Sequence, residues 1–313
     1  MSTQKIPIGI SSCLLGEEVR FDGGHKRHSY ITGTLSHYFE FHPICPEVGI
    51  GLGIPRPTIH LVEQDGKIRC VGVKDSNQDF TERLRDYADQ LQKQHANLCG
   101  YILKKDSPSC GMERVKVYSR SLAQRKGSGI YADRLMRNNP LLPAEEEGRL
   151  GDPGLRENFI QRVYVLHRWR SMLADGLSSP KLIEFHARHK LIIMSRGDYR
   201  ELGHLLTNLK NENLAEIADK YILNLMKILK RVATRKQHVN VLQHIQGYLK
   251  KPLDSDDKAE LCEVIERYRL GEIPLIVPLT LLKHHFRKCP DPYIENSWYL
   301  SPYPPELQLS NQL

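Results

Sequence analysis

The hydrophobic pattern of this chain changes between residues 139 and 154, and that change limits the possible fold more than any other feature. Before it, short β-branched runs alternate with helical patterns, whereas after it apolar residues recur only at helical spacing. The intervening NPLLPAEEEGRLGDPG is rich in Pro, Gly and charge, which is typical of an exposed boundary. The chain also has 313 residues, which is more than a domain with a single hydrophobic core usually contains. We therefore predict two domains: an α/β domain over residues 1–150 with an open, largely parallel sheet, and an all-α helical domain over residues 151–313.

Short motifs predict the individual elements. The runs IPIGIS and CGYILK predict buried strands, and TIHLVEQDGKIRCVGV predicts a hairpin because Asp-Gly suits a type I′ turn. In the first half we expect helices over 32–40, 77–97 and 127–138. In the second half we expect seven helical segments, among them 213–235 and 237–250.

The cysteines carry the clearest chemical signal. There are seven, none in a C-x-x-C pair, and neither the odd number nor the N-terminus favours a disulfide framework. Cys13, Cys45 and Cys110 each follow an apolar run read as a strand or strand-like segment and lie beside Gly or Pro. Ligand sites of open α/β sheets form outside the carboxyl ends of the strands. We therefore expect these three thiols to meet at one site, and the other four to be inert.

Three thiolates from separate loops can hold a zinc ion or an iron–sulfur cluster. The ligand spacings of 32 and 65 residues favour the cluster, since zinc sites usually contain a close pair of ligands. A [4Fe–4S] cluster with three protein ligands keeps one iron open as a Lewis acid. On spacing alone, a cysteine nucleophile with two inert companions remains an alternative.

The positive charge of the chain is concentrated in one stretch. The net charge is +8, and residues 181–251 contain fourteen Lys/Arg against six Asp/Glu, which accounts for the whole excess. A solvated helical surface explains such a stretch, but its concentration also favours a polyanionic partner, nucleic acid above all.

Three motifs resemble the thiouracil desulfidase (TudS) family: ISSCLLGEEVRFDGGHKR (10–27), HPICPEVGIGLGIPRP (42–57) and KKDSPSCG (104–111). The segment HRWRSMLADGLSSPKLIEFHARHKLIIM (167–194) resembles the helical domain of unknown function found in YbgA-like proteins. This two-part architecture is similar to that of RudS-type desulfidases, which remove sulfur from 4-thiouridine in tRNA.

The resemblance implies an enzyme, with roles for individual residues. Cys13, Cys45 and Cys110 fall on the ligand positions of a [4Fe–4S] cluster. Glu47 falls on a position expected to handle protons, and Ser107 on one expected to bind substrate or the attacking water. The implied reaction is hydrolytic and non-redox: it replaces C=S with C=O and releases sulfide. The PRP triplet and the glycines of RFDGG match family motifs without an assigned role.

Three hypotheses for the function remain. In the first the protein is a desulfidase of 4-thiouridine in tRNA, and in the second it acts on a free thiolated pyrimidine such as 2-thiouracil. In the third it is a non-catalytic cluster protein that binds RNA or senses redox state. For the first reading the expected phosphate-binding cations are Arg168, Arg170, Arg188, Lys190, Lys227, Lys230, Arg231, Arg235 and Lys236.

The sequence also indicates the cellular location of the protein. No apolar run approaches the ~20 residues that span a bilayer, and MSTQKIPIGISS lacks the features of a signal peptide. We therefore expect a cytoplasmic protein without a membrane partner.

Overall fold

A computed structural model describes residues 5–119, 122–197, 199–207, 209–210 and 213–307. The chain divides into two compact units, Met1–Asp152 and Pro153–Leu313. This division lies two residues from the predicted boundary.

The first unit is built on a four-stranded parallel sheet, as the sequence predicts. Its strand order is β2-β1-β5-β8, and β1 pairs with both β2 and β5 in parallel register. The strands β1 and β5 are almost entirely buried, which explains their continuous apolar sequences. The strands are β1 (Ile6–Ser11), β2 (Phe39–Ile44), β5 (Gly100–Leu103) and β8 (Ala144–Glu146).

A second sheet lies in the same unit and has the order β4-β3-β6-β7. The predicted hairpin over 58–73 is confirmed: β3 and β4 pair antiparallel, and Asp65 and Gly66 take φ values of 50° and 70°. Its strands are β3 (Ile59–Gln64), β4 (Lys67–Gly72), β6 (Val115–Ser119) and β7 (Leu122–Gly127).

The helices of the first unit are shorter than predicted. The segment 32–40 is not one helix, because residues 39 and 40 already belong to β2. The predicted helix 77–97 begins only at Thr81 and is interrupted at Leu91, and residue 127 ends a strand before the next helix starts at Ile130. The helices are α1 (Ser29–Thr32), α2 (Pro46–Gly49), α3 (Thr81–Gln90), α4 (Gln92–His95) and α5 (Ile130–Asn138).

The second unit contains helices and no strand among its described residues, as predicted. The segment expected as one helix over 213–235 ends at Leu229, because Thr234 and Gln237 form a capping box that starts the next helix at Arg235. The helices are α6 (Pro153–Ala174), α7 (Ser179–Met194), α8 (Tyr199–Thr207), α9 (Leu214–Leu229), α10 (Arg235–Gln246), α11 (Ser255–Leu270), α12 (Ile276–Lys288) and α13 (Pro292–Glu295).

No helix within the described ranges has both the length and the apolar character needed to cross a bilayer.

Candidate functional site

The carboxyl ends of three neighbouring parallel strands position the three predicted thiols. Cys13 lies in a 3₁₀ turn directly after β1, and Cys45 is the residue before α2, directly after β2. Cys110 lies in the loop that follows β5. Because β2, β1 and β5 are adjacent, residues 97 positions apart in sequence meet at one edge of the sheet.

A cavity of about 320 Å³ opens at this edge, and all three cysteines line it together with Glu47 and Ser107. The structure therefore brings together all five residues of the first unit to which the sequence analysis assigns a role. The remaining lining residues are Ser11, Ser12, Val19, Arg20, Phe21, Lys26, Ile44, Arg56, Lys104, Lys105, Asp106, Pro108 and Ser109.

Burial makes all three thiols reluctant to ionise. It raises the pKa of Cys13 to about 11, an effect that the nearby Lys104 ammonium partly offsets. Burial also raises the pKa of Cys45 and, with a further contribution from Cys45, that of Cys110. A thiolate is stable at such a position when a cation, such as a metal ion, lies beside it.

The three cysteine sulfur atoms do not all lie within 4.8 Å of one another. Sulfurs around a tetrahedral zinc ion lie about 3.8 Å apart, because each Zn–S bond is about 2.3 Å long. Among the described residues, the only three metal-ligating side chains whose donor atoms all lie within 4.8 Å of one another are elsewhere in the chain. At least one pair of these sulfur atoms therefore lies more than 4.8 Å apart, a spacing that suits a multi-iron cluster, because such a cluster binds its ligands through separate irons.

The Glu47 carboxylate is held rigidly at the wall of this cavity. Oε2 of Glu47 accepts hydrogen bonds of 2.8 Å from both Nε and Nη2 of Arg56. The Arg56 side chain is only 3% exposed, and its Nη1 donates to the carbonyl oxygens of Val19 and Gly53. Sequence reasoning left the PRP triplet without a role; the structure shows that its arginine fixes Glu47.

A chain of hydroxyl groups leads to the other oxygen of this carboxylate. Ser109 Oγ donates to Glu47 Oε1 at 2.6 Å, and Ser107 Oγ lies 2.9 Å from Ser109 Oγ. Because the Ser109 proton points to Glu47, Ser107 is the donor between the two serines. Ser107 Oγ also accepts from the backbone N–H of Cys110 at 3.0 Å. Ser107 thus caps its own loop and connects the cavity to Glu47 through Ser109, a residue that the sequence analysis did not single out.

The start of α5 supports the Cys110 loop from behind. Gly129 N donates to Gly111 O at 2.7 Å, and Ala132 N donates to Ser109 O at 3.1 Å. A Cβ atom at Gly129 would lie 2.5 Å from the carbonyl carbon and oxygen of Ser109, and 2.8 Å from Cys110 N. Only glycine permits this contact between the two backbones.

We expect Gly129→Ala to displace this loop and to lower the free energy of unfolding by about 1–3 kcal/mol, as overpacking of a rigid contact does. Chemical denaturation of the variant and the wild type measures the change. Gly151→Ala is the matched control, since a Cβ atom there meets nothing within 4 Å. If both variants lost the same free energy of unfolding, the close contact between Gly129 and the Ser109 backbone would not be the cause of the loss.

In the helical unit, two of the nine predicted cations share one aromatic ring. The guanidinium carbons of Arg168 and Arg188 lie 3.7 Å and 4.4 Å from the centre of the Trp298 ring. A cavity of about 580 Å³ borders Arg188 and Trp298, and Lys283 and Arg287, which the sequence analysis missed, also line it. The other cations occupy different surroundings: Lys190, Lys227, Lys230, Arg231 and Lys236 are exposed, Arg170 is half-buried, and Arg235 lies over Tyr268 at 5.6 Å.

The first unit thus belongs to the class of α/β proteins with a thiol-lined ligand site at the carboxyl edge of a parallel sheet. Residues 8–147 match the model of the 2-thiouracil desulfurase family, and residues 190–304 match that of a protein family of unknown function (DUF1722).

Two curated proteins and one solved structure are similar to parts of this chain. The uncharacterized protein YbgA of Escherichia coli is 31% identical over 156 residues, which are 49% of this chain and 92% of YbgA. The uncharacterized protein YbbK of Bacillus subtilis is 30% identical over 133 residues, 40% of this chain and 86% of YbbK. A solved structure of the [4Fe–4S]-dependent thiouracil desulfidase TudS is 28% identical, covers 48% of this chain and 95% of its own, and has a TM-score of 0.38. The two family matches and the two curated relatives show that the chain belongs to the 2-thiouracil desulfurase family, with a YbgA-like domain joined to it, which confirms the resemblance to these two families inferred from the sequence.

Proposed function

We propose that this protein is a [4Fe–4S]-dependent desulfidase that converts 4-thiouridine in tRNA to uridine. The observation that carries the proposal is the meeting of Cys13, Cys45 and Cys110 in one cavity with the fixed carboxylate of Glu47. Membership of the 2-thiouracil desulfurase family supports a thiolated pyrimidine as the substrate.

The three cysteines would hold the cluster, and their number leaves one of four irons without a protein ligand. When bound, the cluster supplies a Lewis acid with an affinity for soft sulfur, and this polarises the thiocarbonyl bond toward attack at carbon. The cavity of about 320 Å³, at the lower end of the range for small-molecule sites, would have to hold the cluster as well as the reacting base, which favours a compact base such as a pyrimidine.

The residues of the chain manage the protons of the reaction. The reaction consumes one water, forms a C–O bond, breaks the C–S bond and releases hydrogen sulfide, so no electron donor or acceptor is needed. Water at Ser107 passes a proton through Ser107 and Ser109 to Oε1 of Glu47, along contacts of 2.9 Å and 2.6 Å. Glu47 later returns that proton to the products. Arg56 keeps the carboxylate in place throughout.

The cations of the helical unit support the tRNA part of the proposal. Arg168 is largely buried, its Nη1 atom has no hydrogen-bond partner among the described residues, and burial lowers its pKa to about 9. Arg188, Lys283 and Arg287 line the adjacent cavity, where Glu295 is the one acidic residue among the described lining residues. An excess of guanidinium and ammonium groups around an open cavity with an aromatic wall suits the phosphates and bases of RNA.

The test compares two substrates. Anaerobic holoprotein is incubated with tRNA containing 4-thiouridine and, separately, with free 2-thiouracil, while the loss of thiocarbonyl absorbance and the release of sulfide are followed. We expect turnover of the tRNA. Turnover of the free base alone would replace the tRNA proposal with the second reading, and turnover of neither would contradict the desulfidase proposal itself.

We expect the double variant Lys283→Gln/Arg287→Gln to bind this tRNA more weakly and to lower the slope of log K against log salt by about 2, since each lost phosphate contact removes about 0.9. The turnover of free thiolated base is expected to be the same as in the wild type. The matched control is Lys220→Gln/Arg269→Gln, whose cations are exposed and paired with Glu216 and Glu266 on their own helices. If tRNA binding weakened equally in both double variants, the cavity beside Trp298 would have no specific role in binding.

A further inference from the structure

A second group of metal-ligating side chains lies in the helical unit, where two helices contact each other. Asp257 and Glu260 are three residues apart on α11 and so point from the same face. His285 lies in the last turn of α12. One ligand atom from each of the three side chains lies within 4.8 Å of the other two.

The imidazole of His285 is buried and contacts the His284 ring, but it has no hydrogen-bond partner among the described residues. The residue is 1% exposed, and neither Nδ1 nor Nε2 has a hydrogen-bond partner in the described part of the chain. Other deeply buried histidines are held differently: Nδ1 of His189 lies 2.7 Å from the Phe185 carbonyl oxygen, and Nε2 of His95 lies 3.2 Å from the Tyr131 hydroxyl. An unpaired buried imidazole is costly unless a ligand satisfies it.

Neither carboxylate caps α11, and no hydrogen bond within the described residues explains the position of either one. Asp254, not Asp257, caps α11, because Asp254 Oδ1 accepts from the backbone N–H of Asp257 at 2.8 Å. Neither the Asp257 nor the Glu260 side chain forms a hydrogen bond or ion pair with a described residue. Acidic residues are favourable near a helix N-terminus, but that preference does not explain why they converge on an unpartnered histidine.

We propose that Asp257, Glu260 and His285 form a binding site for a divalent transition-metal ion, with Zn²⁺ the best match. One imidazole nitrogen and two carboxylate oxygens are ordinary zinc ligands, at about 2.0–2.2 Å from the ion. Donor atoms within 4.8 Å of one another need only small side-chain movements to reach that geometry. The ion ties the first turns of α11 to the last turn of α12, and the site is independent of the cysteine cavity and of the proposed desulfidase activity.

The test measures zinc and iron separately in the holoprotein. Protein whose cysteine site is already loaded with iron is dialysed anaerobically against micromolar ZnCl₂, and both metals are counted by mass spectrometry. We expect about one Zn²⁺ per chain in the wild type, and its loss in Glu260→Gln and His285→Gln with the iron content unchanged. Zinc at about 100 times its Kd raises the unfolding midpoint of the helical unit by about 5–10 °C, and this rise disappears in the same variants.

Two matched controls change residues in the same helical turns as the proposed ligands. Asp256→Asn and His284→Gln change exposed neighbours of the proposed ligands and are expected to keep both the zinc and the thermal shift. Glu260 is exposed, so Glu260→Gln tests the site even if His285→Gln fails to fold. Wild-type protein that binds no zinc, or Glu260→Gln protein that binds as much as the wild type, would overturn the proposal.

Discussion

Replacing Cys110 with alanine is expected to remove the iron–sulfur cluster and with it all desulfidase activity. Anaerobically reconstituted wild type should contain about four iron per chain. The Cys110→Ala variant keeps only Cys13 and Cys45, and two thiolates leave two of the four irons without a protein ligand. Iron and sulfide analysis, together with the visible absorbance of the cluster, measures the loss. Cys13→Ala and Cys45→Ala should behave in the same way.

The four other cysteines supply the controls for this experiment. Cys262 is exposed on α11, and Cys262→Ala should keep its iron, its activity and its stability. Cys70 is 0% exposed in β4, so Cys70→Ala should lose some core packing but no iron. A Cys110→Ala protein that still holds a full complement of iron would refute the ligand assignment.

The meeting of the three thiols was predictable because one rule connects local sequence with tertiary position. Each cysteine follows a short apolar run, and parallel strands bring their carboxyl ends to one edge whatever the connections between them contain. The rule needs no knowledge of loop conformations. It therefore predicts that cysteines 32 and 65 positions apart in the sequence lie close together in the fold.

The partner of Glu47 was not predictable in this way. Arg56 reaches the carboxylate from an irregular segment whose course depends on tertiary contacts: its backbone N–H donates to Phe21 O at 2.9 Å, and Nη1 donates to Val19 O. Both acceptors lie in another loop. No periodicity or turn signal encodes such a contact, although the PRP triplet itself was visible.

The missed strands have a related explanation. The sequence of β7, LAQRKG, is exposed along nearly its whole length and pairs with β6 at the edge of the second sheet. It therefore has neither an apolar run nor clear alternation, which are the two signals that predict strands. The sequence of β8 contains Glu145 and Glu146, and such charged residues predict an exposed linker. In the structure both glutamates are buried, and their carboxylates accept hydrogen bonds from Arg149 and from the backbone N–H of Met112.

Glu47→Gln should separate cluster binding from catalysis. The amide has the same shape as the carboxylate and leaves the three cysteines untouched, but it is a far weaker base than the carboxylate at the end of the Ser107–Ser109 chain. We expect full iron content and a turnover number lower by about 10²–10⁴, the usual contribution of a general acid–base group. Glu40→Gln, a change at an exposed carboxylate on β2, is the control and should retain full activity.

Loss of stability is the one competing explanation for an inactive Glu47→Gln protein, because it leaves the buried Arg56 without its carboxylate. Removing one partner of a buried ion pair costs about 3–5 kcal/mol. The double variant Glu47→Gln/Arg56→Gln removes both charges and should recover much of that loss. If the double variant is stable, binds iron and remains inactive, Glu47 acts in the chemistry. If stability and turnover recover together, the carboxylate serves only to neutralise Arg56, and the proton chain proposed for the reaction is wrong.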